Sequence, residues 1–132
     1  MRRRLLIVDD EKQVCEMLQD RLDMMGYDCV VAHDGRSALA LIALSTSQSP
    51  IDGVLLDLQM PIMDGLATLR EIRDRYPDLP VLMMSAGPNS NPFKKLGPVG
   101  ANDFIAKPLQ QHDFVAKCTR LFPVQNSPSD RH

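Results

Sequence analysis

The chain has 132 residues, of which 44% are hydrophobic and 24% charged, with a formal net charge of -2. That length suits one domain with one core, and in the near-neutral charge nothing points to wholesale binding to nucleic acid or to an anionic membrane surface. No apolar stretch approaches the ~20 residues of a membrane span, and the run Leu5-Leu6-Ile7-Val8 is too short for the apolar region of a signal peptide.

Arg2-Arg3-Arg4 is the one basic run and reads as a solubilising flank. Cys15, Cys29 and Cys118 have no paired spacing and read as free thiols of a reducing, cytoplasmic environment. His33, His112 and His132 are scattered and read as surface residues. The methionines read as core filler.

Leu5-Leu6-Ile7-Val8 is apolar at every position, the pattern of a strand buried on both faces. Val14, Met17, Leu18, Leu22 and Met25 then recur at helical spacing, and Gly26 suits a left-handed helix end. Asp10 is expected to cap that helix, with Gln13 completing a capping box. Residues 29–32 form a second strand, and Asp34-Gly35 a turn. Ala38, Leu39, Leu41 and Ile42 mark a second helix, and 45–50 is polar and loop-like. Residues 53–56 form a third strand that ends in Asp57.

Asp64-Gly65 opens a third helix with Leu66, Leu69 and Ile72 on one face; Pro77 and Pro80 stop it. Residues 81–84 form a fourth strand ending in Ser85, and 104–106 a fifth ending in Lys107. A last helix covers about 110–122. Between Ser85 and Gly100, Pro92 can begin a helix but Gly97-Pro98 breaks it, so a short or irregular helix is expected there. The tail 123–132 is rich in Ser, Pro and Asn and reads as flexible. Strand-like runs alternating with helices imply an α/β fold with a parallel sheet covered on both faces.

Ligands of such sheets bind outside the carboxyl ends of the strands. Those ends carry Asp9 and Asp10, Asp57, Ser85 and Lys107. Clustered carboxylates repel one another, and a hard divalent ion such as Mg²⁺ relieves the repulsion. A carboxylate is also a competent nucleophile toward phosphorus. Lys107 offers charge and Ser85 a hydrogen bond, and phosphoryl transfer needs chiefly positioning and charge stabilisation. Singly, Asp10 reads as a helix cap, Asp57 as a loop acid, Ser85 as a turn residue and Lys107 as solvated surface. Their common place at strand ends favours function.

Four segments carry a resemblance. They are Leu6-Ile7-Val8-Asp9-Asp10-Glu11, Leu55-Leu56-Asp57-Leu58-Gln59-Met60-Pro61-Ile62-Met63-Asp64-Gly65, Met84-Ser85-Ala86 and Gly100-Ala101-Asn102-Asp103-Phe104-Ile105-Ala106-Lys107-Pro108. In order and spacing they resemble a bacterial response-regulator receiver domain. The resemblance implies a flavodoxin-like (βα)5 doubly wound sheet of order 2-1-3-4-5 over residues 1–122. It implies that Asp57 accepts a phosphoryl group from the phosphohistidine of a sensor histidine kinase or a phosphotransfer protein. Asp10, Asp57 and the backbone carbonyl of Gln59 would hold Mg²⁺, or Mn²⁺, with Asp9 acting through a water. Lys107 and Ser85 would contact the phosphoryl group, and Ser85 with Phe104 would form a switch pair. Lys107-Pro108 would be a cis peptide. Gln59 and Gly87 flank the site and are candidates for tuning the phosphoryl lifetime, including a slow autodephosphorylation.

Phe104 stands where many members of that family have tyrosine, and the break at Pro98 falls on a face where many of them dimerise. The expectation is a monomer or a weak phosphorylation-dependent dimer that acts on a protein target, without nucleic acid or membrane binding. It is either free-standing or a piece of a longer regulator. Three other functions compete. An aspartyl-phosphate hydrolase places its nucleophile directly after the first strand with a second aspartate two residues on, which Asp9-Asp10-Glu11 lacks. A flavodoxin-like electron carrier needs a Ser, Thr and Gly phosphate loop where this chain is acidic. A phosphate-independent interaction module has no use for five filled site positions.

Overall fold

The computed structural model describes residues 2–58, 60, 64–85 and 100–124. In chain order its elements are β1 (Arg4–Val8), α1 (Lys12–Met24), β2 (Asp28–Ala32), α2 (Gly35–Leu44), β3 (Gly53–Asp57), α3 (Gly65–Arg75), β4 (Val81–Ser85), β5 (Asp103–Ala106) and α4 (Gln111–Leu121). The strands form one sheet in the order β2-β1-β3-β4-β5, with every neighbouring pair parallel. This is the expected flavodoxin-like winding. The irregular helix expected before Gly100, and most of the tail from Pro123, lie outside the described residues.

The strands are apolar throughout because both of their faces are covered. Leu5 and Ile7 join a core with Leu18 and Leu22 of α1 and Phe114 and Cys118 of α4. Leu6 and Val8 join a second core with Ala38 and Ile42 of α2 and Leu69 and Ile72 of α3. Each fully buried leucine or isoleucine contributes roughly 1.5–3 kcal/mol to holding its helix on the sheet. The two cores follow from the two-residue period of a strand, which sends successive side chains to opposite faces.

Several local expectations are corrected. The residue capping α1 is Glu11, without a side-chain bond, and not Asp10. Asp9 Oδ1 instead accepts from the Glu11 amide at 2.9 Å, because a buried aspartate reaches the amide two residues ahead. Asp34-Gly35 is a helix start rather than a free turn, since the Asp34 carboxylate accepts from the Ser37 amide at 2.8 Å. Met24 is 89% exposed, so it fills no core.

The arginine run is also more than a flank. Arg2 donates to the carbonyls of Gly26, Asp23 and Tyr27, and Arg4 to Ser49. These bonds tie the start of β1 to the α1–β2 turn and to the loop before β3. Gly26 has a φ of +99°, the left-handed conformation expected at the end of α1.

Candidate functional site

The sheet ladder runs slightly past its strands and thereby fixes the site. The Asp9 amide donates to Ala32 O at 3.1 Å, the Leu58 amide to Met84 O at 2.9 Å and the Lys107 amide to Ser85 O at 2.7 Å. Register also decides which residues meet. Val8 lies opposite Leu56, so the next residues, Asp9 and Asp57, are neighbours. Asp57 shares the parity of Leu55, and Lys107 that of Ile105, both in the α1/α4 core. Ser85 and Phe104 have the other parity, as Met83 and Phe104 both pack with the α2/α3 core.

The carboxylates of Asp9, Asp10 and Asp57 each bring an oxygen within 4.8 Å of the others. Asp9 and Asp57 are buried while Asp10 is exposed. Lys107 Nζ lies 3.2 Å from Asp9 Oδ2 and 3.5 Å from Asp57 Oδ1. Burial alone would lower the Lys107 pKa, but the Asp57 and Asp9 carboxylates outweigh it and hold the ammonium above its ordinary value. Three hard oxygen donors so close together suit Mg²⁺ by donor chemistry.

Ser85 is fully buried, and its Oγ is the buried side-chain polar atom that has no hydrogen-bond partner among the described residues. The Lys107-Pro108 peptide is cis, as expected. Gln59 and Gly87 lie outside the described residues.

Gly65 is more demanding than a turn residue. A Cβ there would stand 2.3 Å from the Asp57 carbonyl oxygen and 2.5 Å from Leu58 Cα. The Gly65 amide donates to Leu58 O at 3.0 Å, and Asp64 caps α3 by accepting from the Ala67 amide at 2.7 Å. The start of α3 thus presses directly on the backbone that carries Asp57.

Two neighbours escape the sequence reading. His33 is exposed, but its Nδ1 lies 3.0 Å from the Asp9 carbonyl oxygen. Cys15 Sγ donates to the same oxygen at 3.3 Å. Burial, reinforced by the Asp9, Asp10 and Asp57 carboxylates, pushes the Cys15 thiol up to about 11, so it stays protonated. The pairing of Val8 with Ala32 is the available signal, since it sets His33 beside Asp9.

Residues 5–119 match the family model described as the response regulator receiver domain. The chain belongs to that family. It is 37% identical over 115 residues to the transcriptional regulatory protein CpxR of Klebsiella pneumoniae, a match covering 86% of this chain and 47% of that protein. It is 37% identical over 127 residues to the response regulator MprA of Mycolicibacterium vanbaalenii, covering 96% of this chain and 53% of that one. The receiver chain therefore spans about half the length of these curated relatives.

Among solved structures, the response regulator TrrA of Thermotoga maritima, in complex with Mg²⁺-BeF, superposes with a TM-score of 0.81 at 28% identity. That match covers 91% of this chain and 99% of TrrA. The chemotaxis protein CheY4 of Vibrio cholerae gives 0.80 at 28% identity, covering 92% of this chain and all of that one. Receiver domains are signalling modules that interact with histidine kinases or phosphotransfer proteins, and the match favours none of the competing functions. Among the described residues no helix is long and apolar enough to cross a membrane.

Proposed function

We propose that this receiver domain is switched by phosphorylation of Asp57. The observation that carries the reading is the convergence of Asp9, Asp10 and Asp57 with Lys107 Nζ at one sheet edge, beside the buried Ser85.

Asp10 and Asp57, with the backbone carbonyl of Gln59, would hold Mg²⁺ or Mn²⁺. Both Asp9 oxygens already have partners, Glu11 N and Lys107 Nζ, which supports a role for Asp9 through a bound water. The cation, when bound, supplies charge neutralisation at the phosphoryl oxygens. An Asp57 carboxylate oxygen attacks phosphorus, the bond from phosphorus to the donor histidine nitrogen breaks, and that nitrogen keeps the electron pair. Lys107 balances charge on the phosphoryl group. Ser85 Oγ then gains an acceptor, and its movement opens space into which the Phe104 ring turns.

Hydrolysis of the acyl phosphate, slow and tuned by Gln59 and Gly87, would return the domain to rest. The output is a cytoplasmic contact with a protein target. A small phosphodonor with Mg²⁺ should add one phosphoryl group, detected by intact-protein mass, and Asp57→Asn should abolish the uptake. Undiminished uptake in that variant would refute the assignment.

A further inference from the structure

The switch aromatic is gripped from an unexpected side. Phe104 lies on β5, the edge strand, and its ring packs with the α2/α3 core. Lys117 belongs to α4, which covers the other face through Phe114 and Cys118. The Lys117 side chain nevertheless reaches the β5 edge. Its Nζ donates to Phe104 O at 2.8 Å, pairs with Asp103 Oδ1 at 3.5 Å and stands 5.4 Å from the centre of the Phe104 ring. One ammonium therefore contacts the backbone, the preceding acid and the ring of the same short strand. Arg120 also pairs with Asp103, so the acid keeps a partner without Lys117.

We propose that Lys117 is a positioning residue that holds the Phe104 ring in its resting arrangement and so opposes activation. This rests on the reading of Ser85 and Phe104 as a switch. The carbonyl bond anchors the ammonium in either state, because the backbone of β5 is fixed by its ladder to β4. The attraction of the cation for the ring face is different, since it depends on where the ring is. Turning the ring away forfeits that attraction, which biases the equilibrium toward the resting arrangement. A ligand that favours the active state must overcome this bias, and its apparent affinity falls by the same factor. Tyrosine is not required for such restraint. A phenylalanine ring offers its face to the cation without an outward hydroxyl to anchor it.

The test is a titration of the whole chain with beryllium fluoride and Mg²⁺, followed by amide NMR. Lys117→Met keeps the length of the side chain but loses the charge, and should lower the half-saturating concentration by about two- to fivefold. Lys117→Arg should restore the original value. In a Phe104→Leu background, Lys117→Met should change nothing, because the ring is gone. General structural damage would weaken binding, the opposite direction. An unchanged or raised half-saturation in Lys117→Met overturns the inference alone, as does an equal gain in the Phe104→Leu background. Absence of binding by the unsubstituted chain overturns both the inference and the phosphoacceptor reading.

Discussion

At the amino-terminal edge of the sheet, arginines answer backbone carbonyls; at the carboxyl edge, carboxylates face one another around one lysine. Arg2 reaches the carbonyls of Gly26 and Tyr27, and Arg73 reaches those of Gly100, Tyr76 and Pro77. The Tyr27 hydroxyl donates to the Phe122 carbonyl, closing α4 onto the same edge. At the opposite edge Asp9 and Asp57 are buried side by side, and Ser85 Oγ has no hydrogen-bond partner among the described residues. One end satisfies its polar groups and fixes the frame. The other gathers carboxylates that a cation would neutralise, the usual distribution when a stable scaffold carries a reactive site.

Two glycines put that contrast to its severest test. A Cβ at Gly65 would meet the Asp57 carbonyl oxygen at 2.3 Å, and one at Gly53 would meet the Phe122 ring at the same 2.3 Å. The distances agree but the obstacles differ. Backbone at the site cannot yield without moving Asp57, whereas a ring can rotate. Gly65→Ala should cost about 3 kcal/mol and largely abolish phosphoryl uptake. Gly53→Ala should cost about 1–2 kcal/mol and leave uptake intact. Urea unfolding and mass-detected uptake measure the two properties separately. Equal loss of uptake in both would mean the edges are not independent.

Alkaline pH should probe the framework next. Burial, with Cys118 adding to it and Arg3 opposing, pushes Tyr27 up to about 12. Burial likewise pushes Cys118 up to about 12 and Cys29 to about 11. Each acid is raised in the folded state, so the unfolded chain loses its protons first. The stability they contribute is complete below their unfolded pKa values, about 8.5 for thiols and 10 for tyrosine. It is lost as pH rises through the folded values. Lys107, also raised, has the same sign at higher pH. Unfolding midpoints should therefore fall steadily from about pH 9 upward, and Cys118→Ala should flatten that decline while lowering the plateau. A decline equally steep in the variant would remove Cys118 from the account.

The sheet and its site are legible in the sequence because both follow from short-range pattern. Continuous apolar runs such as Leu5-Leu6-Ile7-Val8 mark doubly covered strands, and the polar residue after each run must stand at the sheet edge. What escapes depends on side chains that cross the fold. Nothing near Arg2 in sequence announces its bonds to Gly26 and Tyr27, which exist because β1 and β2 pair. His33 reads as surface and is exposed, yet the same pairing sets it against Asp9. Asp10 is the plausible cap for α1 by sequence, but the buried Asp9 takes the Glu11 amide. Two adjacent aspartates cannot be ranked by sequence when burial decides between them.

Asp64 gives the smallest and most discriminating expectation. Its carboxylate accepts from the Ala67 amide, and its carbonyl accepts from the Thr68 hydroxyl at 3.1 Å. Asp64→Ala removes only the first of these and should cost about 1 kcal/mol, the ordinary worth of a helix cap. Asparagine caps nearly as well as aspartate, so Asp64→Asn should cost only a few tenths of that if geometry is what matters. Because Gly65, and not the cap, bears on the Asp57 backbone, both variants should take up phosphoryl groups at the parental rate. Slower uptake in Asp64→Ala, with Asp64→Asn unaffected, would show that the cap transmits to the site. The start of α3 would then belong to the reactive edge as a whole and not through Gly65 alone.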